Sequence, residues 1–501
     1  LATPARQPPA SLGRALRYVV YACTPLLLLL LACELLLAHL GLGDPDVRLP
    51  EHRGFDDTEP MLVARPDGGY RTRFYASPRG RYEVDVPPEG AARRVLLLGG
   101  SNTQMFPEAT LEHLLDAGSG PGAWEVVNLG RMGFGSERVA TLLAQAGVLE
   151  PDVVVIYSGH NEFIEAAFFE ELRARRGPPP PALAFELRTL NAAISLIRRA
   201  RRGGPVPNAR MQLRSLDRAV TRRYLARYHD NLERMVARAR DHGAAVVLCT
   251  TVTNMLEPPF ASAIDRSVPD PVRAGCRAIV RKAIEELPDR FHRGLLPEAT
   301  TLGTPLWTSG RGNVWRPRLP ALGGRLAAEP DAAGVRVSWV PGATWTDPDG
   351  WSDGVVAVLR TYEAIVRREL DGAERALVDS ARRRLEAALE LVPDYPDALY
   401  ALGLCRWLLG DDEEAVRLLD EAARADRAPR RATPATNEIV REVAARHDEV
   451  RLLDAERIVR EASPTGLVGY DAVLDNCHLQ PRLRAHLMAW IAEAVLALDE
   501  P

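Results

Sequence analysis

Val95-Leu96-Leu97-Leu98-Gly99-Gly100-Ser101-Asn102-Thr103 is an apolar run that breaks into small polar residues. Four apolar residues without polar alternation describe a strand buried on both faces, and such strands belong to parallel sheets covered by helices on each side. The texture returns at Trp124-Glu125-Val126-Val127, Val153-Val154-Val155-Ile156-Tyr157, Ala245-Val246-Val247-Leu248 and, much later, Val450-Arg451-Leu452-Leu453, with helical stretches between. Apolar strands alternating with helices predict an α/β domain on a parallel sheet, where ligands gather at the carboxyl ends of the strands.

Three of those ends carry small polar residues. The first strand runs into Gly99-Gly100-Ser101-Asn102-Thr103, the second into Asn128-Leu129-Gly130-Arg131-Met132-Gly133-Phe134-Gly135, and the third into Ser158-Gly159-His160-Asn161-Glu162. Glycines let the backbone turn sharply and aim N–H groups into the crevice. Each block alone reads equally well as a plain turn between strand and helix; three in chain order predict a site. A dinucleotide fingerprint is disfavoured, because Gly99-Gly100-Ser101-Asn102-Thr103-Gln104 lacks the final glycine of G-x-G-x-x-G. A Walker A phosphate loop is excluded by the lack of its lysine, the sole lysine being Lys282.

A serine nucleophile requires a histidine base and an acid to orient it. Of the ten histidines, His39 lies in an apolar N-terminal segment. His52, His113, His229, His242, His292, His447 and His486 stand where no other signal points to a site, and His160 adjoins Asn161, the better donor. His478 remains, in Leu474-Asp475-Asn476-Cys477-His478 just before a helix starting near Pro481. An aspartate three residues before a histidine in a loop can turn its carboxylate onto one ring nitrogen and leave the other for Ser101.

These four blocks resemble the SGNH (GDSL-type) hydrolases, whose signature is a Ser, a Gly, an Asn and a terminal DxxH. The resemblance covers about 91–260 and 430–501. It implies a three-layer α/β/α sandwich resembling flavodoxin and the hydrolysis or transfer of ester-linked acyl groups. Residue by residue, it implies Ser101 as nucleophile, His478 as base and Asp475 as its orienter. The oxyanion donors would be the backbone N–H groups of Ser101 and Gly133 and the side-chain amide of Asn161. No cofactor or metal is implied. Two positions depart from the family pattern: Gly100 stands where the name motif has Asp, and Leu479 where a proline often follows the histidine.

The rest of the 501 residues fits around that unit. This length predicts two or three domains, and 46% hydrophobic with 26% charged residues predicts that most of the chain folds. The 63 basic and 67 acidic residues nearly cancel, to a net charge of −4, which argues against nucleic acid as a partner. Cysteines 23, 33, 249, 276, 405 and 477 form no CxxC or Cys/His pair at zinc spacing, and Cys249 with Cys276 is the one bridge worth testing.

From Tyr18 to Leu40 only Glu34 and His39 can carry charge. A helix of that length spans roughly 34 Å, enough for a hydrocarbon core of about 30 Å. Arg6, Arg14 and Arg17 before it predict a cytoplasmic N-terminus and an extracytoplasmic, periplasm-facing body on a single inner-membrane anchor. A cleaved signal peptide and lipidation at Cys33 are the alternatives; both keep the body outside the cytoplasm.

The expected organisation is a cytoplasmic segment 1–17, an anchor 18–40, an extended spacer 41–90 with a few edge strands in the alternations Tyr70–Phe74 and Tyr82–Val86 but no core of its own, and hydrolase parts 91–257 and 427–501. These parts flank a Pro/Gly/Trp-rich insertion, 258–369, that either caps the active-site edge or extends the packing, and a helical segment 370–426. Within the last, Ala381, Leu385 and Ala388 recur 34 residues on as Ala415, Leu419 and Ala422, the small/large pattern of a tetratricopeptide repeat. This repeat either binds a protein partner or is a structural graft. The basic run Arg198-Arg199-Ala200-Arg201-Arg202 is a solvated loop or a contact for lipid headgroups. Together these readings describe an anchored esterase acting on acyl esters of an envelope glycan or lipid. An acyltransferase sharing the acyl-enzyme and a non-catalytic scaffold remain as alternatives.

Overall fold

The structure is a computed structural model. It describes residues 12–40, 42–43, 60–72, 76–77, 80–81, 83–166, 187–190, 192–193, 196, 217–287, 324–331, 334–341, 370–463, 465–469 and 472–498. The Arg198–Arg202 run and most of the 258–369 insertion lie outside these residues, so the proposed cap does as well.

All five expected strands form. They are β1 (Arg93–Gly99), β2 (Trp124–Asn128), β3 (Val153–Tyr157), β4 (Ala245–Cys249) and β5 (Val450–Leu453), in one sheet of order β5-β4-β3-β1-β2. Every pairing is parallel, Leu97 lying against Asn128 on one side and Val155 on the other. The chain direction across the sheet reverses between β1 and β3, and at such a switch point the loops diverge and leave a crevice.

The apolar runs have a direct cause. Successive side chains point to opposite faces. Val95, Leu97, Val153, Val155 and Val247 therefore join one core cluster, and Leu96, Leu98, Val154, Ile156 and Val246 the other. The helices are α1 (Leu12–His39), α2 (Ser101–Gln104), α3 (Glu108–Ser119), α4 (Ser136–Gln145), α5 (Arg218–Asp241), α6 (Asp270–Glu285), α7 (Gly372–Leu391), α8 (Pro396–Leu409), α9 (Asp412–Ala425), α10 (Pro434–Ala445), α11 (Ala455–Ala462) and α12 (Pro481–Leu496). Leu111 and Leu115 of α3 and Leu487 and Ile491 of α12 seal the first face. Val139 and Leu142 of α4, Leu232 and Met235 of α5, and Val440 of α10 seal the second.

Two segments differ from their sequence reading in how much they contribute. Within the expected spacer, Leu62–Ala64, Tyr70–Thr72 and Asp85–Val86 make a small antiparallel sheet, and Met61 and Val86 are fully buried in the second core. In the repeat region, Ala381, Leu385, Ala388, Ala415, Leu419 and Ala422 are all buried, as the 34-residue recurrence predicts. The helix preceding α7 in the packing is α6, which sequence reading had not assigned to the repeat. Cys276 Sγ donates to the Ala388 carbonyl at 3.4 Å and Arg384 Nε to Glu286 at 2.6 Å. Rising numbers on α6 meet falling numbers on α7, so the two run antiparallel, and α6–α7 stands beside α8–α9 as a second helix pair.

The Cys249–Cys276 bridge is not formed. Both are free buried thiols, one on β4 and one on α6, and burial raises the pKa of each. Among the described residues one helix, Val20–His39, is long and apolar enough to cross a membrane, a property that an anchor shares with a signal sequence.

Ala388 tests the α6–α7 pairing. It is fully buried against Cys276, so Ala388→Leu is expected to cost about 1–3 kcal/mol through overpacking. Arg383→Ala on the exposed face is expected to change stability by less than about 0.5 kcal/mol. Denaturant titration of the full chain in detergent, followed by helical circular dichroism, measures both.

Candidate active site

Ser101 begins α2 at the carboxyl end of β1, on the edge of the switch-point crevice. Its hydroxyl donates to His478 Nε2 at 2.8 Å, and His478 Nδ1 donates to Asp475 Oδ2 at 2.6 Å. The other Asp475 oxygen accepts the backbone N–H groups of Cys477, at 2.9 Å, and His478, at 2.8 Å. Aspartate at this spacing thus closes the turn and orients the ring together. With Nδ1–H held by the carboxylate, Nε2 presents its lone pair to Ser101, the tautomer that a general base requires.

Serine and histidine are 377 positions apart, and Asn102 joins their loops. Its Nδ2 donates to the Cys477 carbonyl at 2.8 Å and its Oδ1 accepts the Leu479 N–H at 3.0 Å, so one buried amide spans the histidine from both sides. Asn254, after β4, donates to the Asp475 carbonyl at 2.9 Å, and Asn476 donates to the Arg430 carbonyl at 2.6 Å. Sequence reading quoted Asn102 only as part of its block and passed over Asn254. Their signal, an asparagine directly after a strand end, becomes specific only when the opposing loop is in place.

The electrostatics favour an ion pair on proton transfer. Burial raises the Asp475 pKa, but hydrogen bonds from His478 and from two backbone N–H groups outweigh it and hold the carboxyl below its ordinary range. Burial acts to lower His478, while Cys477 and the Asp475 carboxylate raise it, and the net direction is upward. His160 behaves oppositely. It is buried, burial and the His478 charge push it down to about 3, and its Nδ1 accepts the Ala432 N–H at 3.2 Å, so it stays neutral and faces another loop.

Gly133 lies in the loop after β2 with φ +78, a left-handed conformation in which a side chain is strained. That loop is held against α2: Arg131 N–H donates to the Gly99 carbonyl at 3.0 Å and Met132 N–H to Gln104 Oε1 at 2.8 Å. Asn161 Nδ2 donates to the Phe134 carbonyl at 2.9 Å, which leaves its second N–H available. The structure accounts for Gly100. A Cβ there would lie 2.8 Å from Asn161 Nδ2 and 3.0 Å from the Phe134 carbonyl oxygen, so the space an aspartate would need is occupied.

Behind this loop stand two buried acids, Glu162 and Glu165, to which the sequence alone assigns no role. Glu165 accepts the N–H groups of Gly135, at 2.9 Å, and Glu137, at 3.0 Å, and pairs with Arg138, whose guanidinium also donates to the Gly133 carbonyl. Glu162 accepts from Ser136 N and Oγ and from Ser158 Oγ. Burial, and then the charge on Glu165, push the Glu162 carboxyl up to about 8. These bonds fix the path of the backbone from the Gly133 carbonyl to Glu137.

Asp475, Cys477 and His478 bring three metal-ligand-type atoms within 4.8 Å of one another. Asp475 and His478 are already paired, and burial raises the Cys477 thiol, which disfavours the thiolate a metal requires. The chemistry this arrangement can perform is nucleophilic attack by an activated serine beside preorganised N–H donors.

Residues 377–433 match a tetratricopeptide repeat family. No curated protein matches the chain. Among solved structures, a GDSL-like lipase from Bacteroides thetaiotaomicron shares 14% identity over 33% of this chain and 52% of its own, with a TM-score of 0.18. An acylhydrolase by assignment, from Bacteroides fragilis, shares 15% identity over 40% of this chain and 65% of its own, also with a TM-score of 0.18. The chain therefore spans between about half and two thirds of the length of those structures.

Three outcomes follow for the reaction of Ser101 with a fluorophosphonate. Gly100→Ala displaces the Asn161 amide and is expected to slow labelling by about 10²-fold, the usual effect of losing one oxyanion donor. In the parent chain the labelling rate rises with pH through an apparent pKa above the ordinary imidazole value of 6.5, because the imidazolium stabilised by Asp475 must lose its proton first. Asp475→Asn removes that stabilisation, so the pH limb should move down while the plateau rate falls; rate–pH profiles of both proteins check the sign.

Proposed function

We propose that this chain is a membrane-anchored serine esterase of the SGNH type, with Ser101 as nucleophile, His478 as base, Asp475 as its orienter, and an oxyanion hole made by Ser101 N–H, Gly133 N–H and the Asn161 amide. The observation that carries this reading is the continuous hydrogen-bonded chain Asp475–His478–Ser101 at the carboxyl edge of the sheet. The strand order, read as 2-1-3-4-5, is that of flavodoxin-like sheets and supports the sandwich expected of this class.

The mechanism follows from the atoms. Ser101 Oγ attacks an ester carbonyl as its proton moves to His478 Nε2, and the imidazolium is stabilised by Asp475. The carbonyl oxygen becomes an alkoxide that accepts hydrogen bonds from the three donors. Collapse expels the alcohol, which takes the proton from His478, and an acyl-Ser101 ester remains. Water, activated by the same imidazole, then releases the acid. Proton transfer by a placed base contributes about 10²–10⁴-fold, and one oxyanion donor roughly 3 kcal/mol.

The side chain of His478 is 29% exposed and that of Asp475 only 16%, so substrate approaches from the histidine side. Half-exposed Met132, next to Gly133, offers an apolar rim for an acyl group. The anchor supports a substrate in the cell envelope, an O-acylated glycan or lipid, with the body outside the cytoplasm. The repeat at 377–433 favours an added role in holding a protein partner.

Full-length protein in detergent is expected to hydrolyse p-nitrophenyl acetate and short-chain homologues, and Ser101→Ala to reduce the rate to background. Equal rates in the two proteins would remove Ser101 from the mechanism.

A further inference from the structure

Glu34 sits inside the apolar helix Val20–His39, five residues before its end. At about 1.5 Å per residue this places the carboxylate roughly 8 Å from that end, at the depth where the acyl region of a bilayer meets the headgroups. A carboxylate there is costly unless it is paired. Glu34 is fully answered, and by a segment of the body 154 positions away. Its Oε1 accepts the Arg188 N–H at 2.6 Å, and its Oε2 accepts the Thr189 N–H at 2.8 Å and the Thr189 hydroxyl at 2.6 Å. The chain leaving α1 comes back against the same place, Gly43 lying close to the Arg188 carbonyl.

We infer that Leu187–Leu190, Ala192–Ala193 and Leu196 belong to a second membrane element, lying in the bilayer interface and docked to the anchor by Glu34. Its sequence, Leu-Arg-Thr-Leu-Asn-Ala-Ala-Ile-Ser-Leu, carries a single formal charge. Leu196 is 69% exposed, apolar surface that acyl chains would cover. The partner is the lipid surface itself. The segment is tied to a span-length apolar helix at interfacial depth, and arginines 198, 199, 201 and 202 follow it in sequence, suited to anionic headgroups. The topology agrees, since an N-terminus in the cytoplasm puts the His39 end of the helix on the side of the body, where this segment between β3 and α5 also belongs. The anchor is then a docked part of the fold rather than a free tether. This inference rests on the anchor reading and is independent of the esterase reading.

The test uses the full chain in nanodiscs containing phosphatidylglycerol, with a nitroxide on Leu196→Cys in a Cys23→Ser, Cys33→Ser background; the other four cysteines are buried. A second sample carries the nitroxide on native Cys33 as the depth standard for the anchor. Collision with oxygen is expected to dominate over collision with a water-soluble nickel chelate at both positions. Glu34→Leu should move the Leu196 probe toward the chelate and leave the Cys33 probe unchanged. A water-exposed Leu196 probe beside a lipid-exposed Cys33 probe would overturn the inference and spare the anchor, as would a Leu196 probe indifferent to Glu34→Leu. A water-exposed Cys33 probe would overturn the anchor and the inference with it.

Discussion

The 2.8 Å hydrogen bond between Ser101 and His478 ties together loops 377 positions apart, and much of the architecture serves to keep those two loops in register. Ser101 follows β1, which lies beside the central strand β3 and is buried on both faces. The histidine is carried by a loop with no strand of its own. Its position depends on side-chain amides: buried Asn102 from the short helix α2, buried Asn254 from the loop after β4, and half-buried Asn476 reaching out to Arg430. A buried amide that loses one partner costs about 1–3 kcal/mol, so these contacts select one loop geometry steeply.

The Gly133 loop is built on a different principle. It holds a left-handed glycine, a feature that the backbone alone would not maintain. The buried Glu165–Arg138 pair and the Glu162 carboxyl behind it supply directional bonds that do. Gly100 belongs to the same compromise. A side chain at position 100 and the Asn161 amide would compete for one volume, and in this chain the amide occupies it.

The repeat helices are not appended to this body. Tyr400 donates to the Leu256 carbonyl at 2.6 Å, Asp426 accepts the Phe260 and Ala261 N–H groups, and the guanidinium of Arg431 binds the Asn254 and Glu257 carbonyls. Both the repeat and the aspartate–histidine loop therefore rest on the stretch from Asn254 to Ala261. Two helix pairs bury too little apolar surface to stand alone, which is why their inner residues share one hydrophobic core with the first face of the sheet.

The sequence by itself determined the five strands, their burial on both faces, the repeat register and the span-length apolar helix. Each is written in local periodicity, which depends only on how side chains alternate along a strand or around a helix. It also pointed to Ser101, Asp475 and His478, which stand at a strand end and in a short motif, and through a family resemblance to Gly133 and Asn161. Only the tertiary structure decided what supports them. The pairing of α6 with α7 crosses a long insertion, Glu165 acts from the far side of a loop, and Glu34 meets its donors 154 positions away. A hydrogen bond between distant residues leaves no period in the chain, since its partners are chosen by where the packed core places them.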